Sequence, residues 1–394
     1  MSQSSCLTPC AITRCFRLLP DPRRAGKVQH PLINLIVMAV CAVIAGADDF
    51  SEIAAFAKER RDWFARFLDL SSGVPSHDTF SRVFRVLDPL KFQSCLVKWV
   101  TALHELTQGQ IIAIDGKVVR EAFARSTDQG PLTLVSAWAT ANQVCLGQVA
   151  GPAGSNELGA LPTLLELLEL KGAIVTLDAL GCQKNIVKQI IDKGGDYVIS
   201  VKDNQEKLAS VVEETIGKAL EAAGGETIGK GLEMDVVVKE YQSKDNNHGR
   251  AERRVCTVMS APEFEAKKDW AGMKTFAMVA RDYVDLDGKC HSGVRYFVSS
   301  LPLHRARTLF TAVRAHWTVE NQLHWRMDVI FNEDASRSRL ENAQANLGMV
   351  RRTALSMVKN DETQKGSIKC KRKSAGWNEK KLEGVIFGRE LGKN

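Results

Sequence analysis

Three carboxylates in this 394-residue sequence occupy positions where acids could do chemistry. Asp115 directly follows the apolar run IIAI, and Asp178 directly follows AIVTL. Both runs are predicted to be buried strands, so both acids are expected at the carboxyl ends of strands, where ligands collect in open α/β sheets. Two carboxylates brought together there repel each other unless a cation neutralises them.

The third carboxylate, Glu320, interrupts the apolar stripe of a predicted helix. At about 100° per residue, Leu309 and Val313 lie within roughly 20° of it. The helix is therefore expected to point Glu320 towards the core, where a lone carboxylate is costly unless it is paired, protonated or bound to a metal. His316 and His324 lie one turn before and after it. A buried Glu–His or Glu–Arg pair explains this pattern as well as a metal site does.

Oxygen donors of this kind suit Mg²⁺ or Mn²⁺ better than a structural zinc. Two such ions, about 3.5–4 Å apart, can activate a nucleophile and stabilise the leaving oxygen in phosphoryl transfer. Each signal alone is unspecific, because an Asp after a strand is often a turn residue or a helix cap.

The elements that must position these acids follow distinct patterns. Residues 12–100 show helical spacing throughout, and the apolar run at 32–47 is short for a membrane span and predicts a buried helix. Residues 105–204 alternate as three strands, helix, strand, helix, strand, which indicates a mixed sheet flanked by helices. Residues 205–300 are predicted to be a strand-rich insertion, and 301–358 the helical end of the core.

The net charge of +7 is concentrated at the C-terminus, since residues 359–394 hold ten Lys and Arg against five Asp and Glu. Such a basic tail suggests a polyanionic partner, although a solvated extension explains it equally well. The ten cysteines form no CxxC pair, which favours reduced, intracellular thiols. The polar N-terminus shows no secretory signal. We expect a cytoplasmic, nucleoid-associated protein without a membrane partner.

Long stretches of the chain resemble the DDE transposases of bacterial insertion sequences, in the subgroup that includes the H-repeat-associated proteins. The resemblance covers nearly the whole chain. It is carried by AIDGK (113–117), SNE (155–157), VTLDALGCQKNI (175–186), GGDYVISVKDNQ (194–205), HGRAERR (248–254) and HWTVENQLHWRMDVIFNEDASR (316–337), together with DPRRAGKVQHPL and VPSHDTFSRVF in the N-terminal helical region.

The resemblance implies an α/β fold: a ribonuclease-H-like mixed-sheet core with a strand-rich insertion and an N-terminal all-helical, transposase-associated domain. It implies that Asp115, Asp178 and Glu320 form the catalytic triad and hold two Mg²⁺ ions, or Mn²⁺, with Asp115 bridging them. The implied activity is strand cleavage at insertion-sequence ends, followed by transfer of the 3′-OH to target DNA. The implied partners are double-stranded DNA and further copies of the chain, as a homodimer or a higher synaptic oligomer. A nuclease without strand transfer and a catalytically silent DNA-binding relic are the alternatives.

Several side chains are candidates for contacts with DNA, although packing, capping and turn roles explain each of them too. Some relatives carry Tyr, Arg and Lys at offsets that here hold Val313, His316 and Met327, so other groups are expected to take over phosphate contacts. The candidates are Lys117, Lys202, His248, Arg250, His316, His324 and Arg326, with Arg82 and Arg85 in the N-terminal region and Lys371, Arg372 and Lys373 in the basic tail.

Overall fold

The computed structural model describes residues 15–16, 19–103, 110–119, 132–151, 157–222, 236–245, 250–285, 288–336 and 341–387. The chain forms two compact units. The first unit comprises Met1–Leu106, Gly116–Leu168 and Val319–Asn394, and the second comprises Thr107–Asp115 and Glu169–Thr318. The chain passes from the second unit into the first within one strand, between Asp115 and Gly116.

The helices and strands follow one another in a mixed order. The helices are α1 (Leu32–Ala45), α2 (Phe50–Glu59), α3 (Arg61–Phe64), α4 (His77–Val86), α5 (Pro89–Leu103), α6 (Leu161–Leu167), α7 (Lys184–Asp192), α8 (Glu206–Ala222), α9 (Ala306–His316), α10 (Trp325–Val329), α11 (Ala343–Asn360), α12 (Ile368–Trp377) and α13 (Glu379–Phe387), with a π-helix at Val319–His324. The strands are β1 (Ile111–Val119), β2 (Leu132–Ala139), β3 (Val144–Ala150), β4 (Ile174–Leu177), β5 (Asp196–Val201), β6 (Val236–Asp245), β7 (Arg250–Ser260), β8 (Thr275–Val284) and β9 (Cys290–Ser299).

Helix α1 is the centre of the first unit. Twelve of its 14 residues are buried, because its sequence is apolar on all sides. Helices α2, α11, α12 and α13 pack around it. The predicted buried helix is therefore confirmed. Within the described residues no single helix has the length and apolarity to cross a membrane, and α1 and α2 meet that test only as a pair bent by 96°.

The first unit also contains the antiparallel hairpin of β2 and β3, whose register runs from Leu134–Ala150 to Ala139–Val144. Strand β2 lies next to β1. Helices α5, α6 and α11 pack against β3. The hairpin joins the helical part of this unit to the end of β1 that lies beyond Asp115.

The second unit is built on a mixed sheet with the strand order β1-β4-β5-β9-β8-β7-β6. Strands β1, β4 and β5 are parallel, and the remaining neighbours are antiparallel. Helix α9 packs on β4 and β5. Its Leu309 and Val313 share one apolar core with Ile174 and Val198 of those strands.

The predicted order of three strands, helix, strand, helix, strand is confirmed by β1 to β5 with α6 and α7 between them. One feature of the following segment differs from the prediction. It begins with a helix, α8, whose Leu208, Val212 and Ile216 are buried at four-residue spacing. The strands that follow extend the core sheet, because β9 pairs with β5.

The prediction of a basic tail after residue 358 was wrong for residues 368–387, which form α12 and α13. Ser367 caps α12 by accepting a hydrogen bond from the Cys370 amide. Apolar residues interleaved with the basic ones explain the difference, since Leu382 and Val385 of α13 are buried. Charge composition alone did not show that both helices have an apolar side.

Candidate functional site

Asp115 lies in β1, and Asp178 directly follows β4, the parallel neighbour of β1 in the second unit. The register pairs Ala113 with Thr176, and two residues further along each chain it reaches the two acids. Neighbouring strands lie about 4.8 Å apart, and residues two apart share a face of the sheet. Both carboxylates are half-buried. Continuing this register by two residues would place two of the three predicted acids side by side.

The sequence predicted Asp115 at the end of its strand, and the structure shows that this prediction was wrong. Strand β1 continues to Val119, because the apolar residues Val118 and Val119 prolong the β pattern. Only β4 ends here, at Leu177 directly before Asp178. The pair therefore lies where β4 stops while β1 continues.

A short loop after β4 fixes the Asp178 carboxylate. Its Oδ1 accepts hydrogen bonds from the amides of Leu180, at 3.0 Å, and Gly181, at 3.3 Å. This is the turn role that the sequence left open. A carboxylate has two oxygens and about four acceptor positions, so the turn is compatible with binding a cation.

The stretch KDNQ (202–205) supports the same loop. The Asn204 side-chain amide donates to the Ala179 carbonyl at 2.6 Å, and the Gln205 side-chain amide donates to the Cys182 carbonyl at 3.0 Å. Lys202 directly precedes them and is exposed. Sequence analysis did not predict that these two amides hold the loop in place.

His316 at the end of α9 contacts the same strand. Its Nδ1 lies 3.0 Å from the Thr176 hydroxyl. Burial lowers the pKa of His316 to about 4, with nearby Asp178 acting in the opposite direction and Arg295 in the same direction. The imidazole is therefore neutral near pH 7. His316 joins the two acids as a third polar group of this site.

Glu320 is exposed, so the expectation that it faces the core was wrong. It lies in the π-helix, where Val319 and Leu323 are the buried residues. In a π-helix each hydrogen bond spans one more residue than in an α-helix, so each residue turns through less than 100°. The extrapolation from Leu309 and Val313 fails for that reason. Single π turns often occur at functional sites. Glu320 belongs to the first unit, whereas Asp115 and Asp178 belong to the second.

Gly116 explains the glycine of the AIDGK motif. A Cβ at this position would lie 2.2 Å from both Cγ and Cδ of Glu157. Glu157 begins a short 3-10 helix in the first unit, and its side chain occupies the space over the strand. Sequence analysis did not predict this packing of Glu157 against Gly116.

Lys117 is buried instead of facing a DNA phosphate. Its Nζ contacts Asp328 and lies 3.3 Å from Glu333 and 3.3 Å from Asp334. Carboxylates of the protein thus already offset its charge.

Lys371 and Arg372, predicted to contact DNA from the tail, are buried as well. Lys371 Nζ donates to the carbonyls of Val358 and Asp361, and Arg372 donates to those of Val43 and Ile330. Lys373 is exposed. Only the last of the three is available to a polyanion in this structure.

The remaining candidates have varied surroundings. Arg82 is exposed, and its Nε donates to the Asp78 carbonyl at 3.3 Å. Arg85 donates to Glu341 at 2.9 Å. His324 and Arg326 are half-buried, and burial lowers the pKa of Arg326. His248 lies outside the described residues, as does the side chain of Arg250.

Sequence reasoning missed a basic groove in the second unit. Its lining contains no Asp or Glu among the described residues. The Arg281 guanidinium lies 4.4 Å from the centre of the Tyr283 ring, and that of Arg295 lies 4.5 Å from the Trp317 ring. An alternation of basic and aromatic residues along β8 and β9 was the available signal. We call this surface the arginine groove; its basic and aromatic lining is Arg254, Arg281, Tyr283, His291, Arg295, Phe297, Phe310, Arg314 and Trp317.

Among the described residues, no three or more His, Cys, Asp or Glu side chains are placed together to hold a metal ion. Asp115 and Asp178 nevertheless offer paired carboxylate oxygens, which are the donors that Mg²⁺ prefers. The chemistry of this pair fits a hard divalent cation.

Two family models match the chain in succession. The family described as "DDE_Tnp_1-associated" matches residues 13–100, and the "Transposase DDE domain" matches residues 106–357. The chain belongs to the DDE transposase family. Membership implies a DNA substrate, and the family normally uses a divalent metal.

Curated relatives show the same likeness along most of the chain. "Putative transposase YncI" of Escherichia coli O157:H7 is 38% identical over 373 residues, covering 94% of this chain and 92% of the relative. "H repeat-associated putative transposase YhhI" of Escherichia coli (strain K12) is 34% identical over 380 residues, covering 95% and 97%. The resemblance to the H-repeat-associated type is thereby confirmed. "Inactive transposase YbfQ" of the same strain is 38% identical over 66 residues, covering 17% and 79%.

Proposed function

We propose that this DDE transposase cleaves DNA strands at insertion-sequence ends and joins the freed 3′-OH to target DNA. The observation that carries the proposal is the parallel register of β1 and β4, which would place Asp115 opposite Asp178 if continued by two residues, in a chain of this family. The parallel order β1-β4-β5 in the second unit and the β2–β3 hairpin in the first support a ribonuclease-H-like core.

In the proposed site, Asp115, Asp178 and Glu320 would hold two Mg²⁺ or Mn²⁺ ions. When bound, such ions polarise phosphate oxygens and make water or a hydroxyl a better nucleophile at neutral pH. The Leu180 and Gly181 amides orient Asp178, and Asn204 and Gln205 keep its loop in place. Water would attack the phosphorus first, which breaks its bond to the 3′ oxygen and releases the 3′-OH of the element. That 3′-OH would then attack a target phosphodiester and release a 3′-OH of the target strand.

His316 has a defined part in this arrangement. Its neutral imidazole is held by Thr176 beside Asp178 and can donate or accept one hydrogen bond at a phosphate oxygen or an attacking hydroxyl. We propose that it orients the reacting phosphate.

The arginine groove supports binding of DNA by the second unit. The lining of this groove holds four arginines, and guanidinium groups can bind phosphate oxygens through two N–H donors at once. We propose that this groove holds the DNA backbone. We also propose that the protein acts in the nucleoid, as a homodimer or a higher oligomer on DNA. The predicted contacts by Lys202, Arg82, His324, Arg326 and Lys373 remain part of this proposal.

A second candidate function is a DNA-binding relic without catalysis. The short match to a relative named as inactive favours it. The presence of Asp115, Asp178 and Glu320 in this chain argues against it, because loss of selection would allow any of them to change.

The deciding experiment compares Asp115→Asn, Asp178→Asn and Glu320→Gln with the wild-type protein on labelled element ends and a plasmid target. Each variant removes one negative charge but keeps the shape of the side chain. We expect cleavage and joining to fall together by about 100-fold or more, because one site serves both steps. Binding of DNA should stay within about twofold, since the phosphate contacts lie on other residues.

Asp203→Asn is the matched control, because Asp203 is an exposed acid near the same loop. It should cleave as the wild type does. Full Mg²⁺-dependent cleavage by Glu320→Gln would show that the triad assignment is wrong. A wild-type protein that binds ends but cleaves nothing with Mg²⁺ or Mn²⁺ would establish the relic, and cleavage without joining would establish the nuclease.

A further inference from the structure

A buried ion network in the first unit ties strand β1 to the segment that follows the π-helix. Lys117 Nζ contacts Asp328 Oδ1 and lies 3.3 Å from Glu333 Oε2 and 3.3 Å from Asp334 Oδ1. The Lys117 side chain is 8% exposed and that of Glu333 is 0% exposed. One ammonium group therefore holds three carboxylates that lie within seven residues of one another in the chain.

Arg352 of α11 completes this network. Its two terminal nitrogens donate to the two oxygens of Glu333, the Nη2 bond measuring 3.2 Å, and its Nε donates to Ser136 of β2 at 3.1 Å. A two-pronged contact of this kind fixes direction as well as distance. Lys117, Asp328, Glu333, Asp334 and Arg352 are called the Lys117 network below.

The segment that carries these acids is held at further points. Arg372 donates to the Ile330 carbonyl and lies over the Phe331 ring at 4.0 Å. The Asn332 side chain donates to Asp48. The Glu333 amide donates to the Met327 carbonyl at 3.0 Å. The backbone that follows α10 is thus fixed on several sides within the first unit.

We propose that Lys117 is a positioning residue for Glu320. Asp328 lies in α10, which continues directly from the π-helix that carries Glu320. By holding Asp328 and Glu333, Lys117 fixes this helical stretch against the part of β1 that begins at Gly116. An exposed carboxylate has few contacts of its own to fix its direction, so its backbone must be fixed from behind if it is to hold a cation. The inference rests on the proposed function for the role of Glu320.

The chemistry of the network distinguishes this role from simple packing. Without Lys117, Glu333 keeps Arg352, whereas Asp328 and Asp334 lose their shared counter-ion and repel each other. The expected damage is therefore local to residues 319–334, and the fold of the first unit should persist. Lys117→Arg keeps the charge and should therefore behave much like the wild-type protein.

Amide hydrogen exchange of the full chain tests whether Lys117 holds residues 319–334 in place, and it requires no activity assay. We expect Lys117→Met to speed exchange across residues 319–334 by about tenfold, because a local opening becomes easier there. Lys184→Met is the matched control, since Lys184 makes a 2.8 Å ion pair with Asp269 on an exposed surface. It should leave that segment unchanged. Wild-type exchange in the Lys117→Met protein would overturn the proposal.

The claim that Lys117 positions Glu320 is tested by the binding of Mn²⁺ alone, measured from the electron paramagnetic resonance signal of the free ion. The Kd of Lys117→Met should rise by about tenfold, as is typical when a residue behind a metal ligand is lost. The Mg²⁺ concentration for half-maximal cleavage should rise in parallel, while the rate at saturating Mg²⁺ changes less. Faster exchange with an unchanged Mn²⁺ Kd would show a purely structural role and overturn the assignment.

The two proposals fail differently. If Glu320→Gln cleaves normally, the catalytic triad is wrong, whereas the exchange experiment still decides whether Lys117 holds the π-helix. Should Lys117→Met not fold, Asp328→Asn gives the same answer, because it removes the direct contact to α10 and leaves the Lys117–Glu333 pair in place. Unchanged exchange and an unchanged Mn²⁺ Kd in that variant would overturn the proposal equally.

Discussion

Three successive residues, Asp115, Gly116 and Lys117, perform three separate tasks. Asp115 is proposed to bind a cation together with Asp178, which directly follows the neighbouring parallel strand. Gly116 leaves room for the Glu157 side chain, and Lys117 neutralises buried carboxylates. Asp115 and Lys117 are two residues apart, so they share one face of β1, and Gly116 lies on the other. One short strand segment thus serves the proposed active site and the core of the first unit.

Gly116→Ala should destabilise the protein, because the new Cβ would lie 2.2 Å from Glu157 Cγ and Cδ. We expect a loss of about 1–3 kcal/mol in the free energy of unfolding by urea, together with slower cleavage. Gly217→Ala is the control, since nothing lies within 4 Å of a Cβ there and Gly217 is inside helix α8. It should gain about 0.5–1 kcal/mol. Equal stability of the two variants would mean that Glu157 moves aside without cost.

The stability of the protein in acid should depend on Glu333. Burial would raise the pKa of Glu333, but Arg352 and Lys117 lower it to about 2 in the folded state, against an ordinary value of 4.5. The folded protein therefore binds fewer protons than the unfolded chain in this range. The resulting stability is fully present above about pH 4.5 and is lost as the pH falls towards 2.

Glu333→Gln removes this titration. Its free energy of unfolding should be lower than that of the wild type at pH 7 by about 3–5 kcal/mol, because Arg352 then keeps an uncompensated buried charge. The difference between the two proteins should shrink as the pH falls from 4.5 to 2. If the free energies of unfolding of the two proteins keep a constant difference over this pH range, the pKa of Glu333 is not lowered.

Local patterns predicted only part of the candidate site. Asp115 and Asp178 were found because each follows an apolar strand run. The direction of the Glu320 side chain was predicted wrongly, because a spacing of 100° per residue gives no sign of a π turn. The partners of Lys117 were invisible as well, because Asp328 and Glu333 lie 211 and 216 positions away in the chain. Their pairing depends on the tertiary fold.

At the level of elements, helix α12 shows why a basic segment is not necessarily a tail. Arg372 reaches the carbonyl of Val43 in α1 with two nitrogens, at 3.2 and 2.8 Å. Burial lowers its pKa to about 10, while Asp48 opposes that effect. A carbonyl near a helix end accepts hydrogen bonds from such a cation favourably. The charges of α12 therefore divide between the interior and the surface.

Arg372→Met and Lys373→Met provide a matched comparison on this helix. Arg372→Met should lower the free energy of unfolding by about 2–4 kcal/mol, because it leaves buried carbonyls and Asp48 without their partner. Lys373→Met should change it by less than about 0.5 kcal/mol, since Lys373 is exposed. Only Lys373→Met should reduce binding of DNA. A stable Arg372→Met protein that binds DNA weakly would instead favour the original basic tail.

The elements themselves were predictable where their apolar period is regular. The alternation of strands and helices from β1 to β5 was read correctly, because each run is short and bounded by turn residues. Helix α8 was not predicted, although its buried Leu208, Val212 and Ile216 recur every four residues. The joining of β9 to β5 was not predictable, because pairing partners far apart in the chain leave no local pattern.

For the whole molecule, the arginine groove is expected to dominate the dependence of DNA binding on salt. Each phosphate contact that is lost should reduce the slope of log K against log salt by about 0.9. Arg281→Gln combined with Arg295→Gln should therefore reduce it by about 1.8. Fluorescence anisotropy with a labelled duplex between low and physiological salt measures this slope.

Lys188→Gln is the control for the groove, because it removes one exposed charge of helix α7 outside that surface. Its salt slope should match that of the wild type. If the double groove variant also keeps the wild-type slope, the DNA backbone binds elsewhere on the chain and the groove has another role.

The central position of α1 also sets the timing of folding during protein synthesis. Its apolar residues leave the ribosome early, whereas α11, α12 and α13, which cover them, are made last. At about 5–20 residues per second, the interval from Ala45 to Arg372 is roughly 16–65 s. During that time we expect part of the apolar surface of α1 to stay uncovered. A chain that ends before residue 368 would lack α12 and α13, so we expect limited proteolysis to cleave it faster than the full chain.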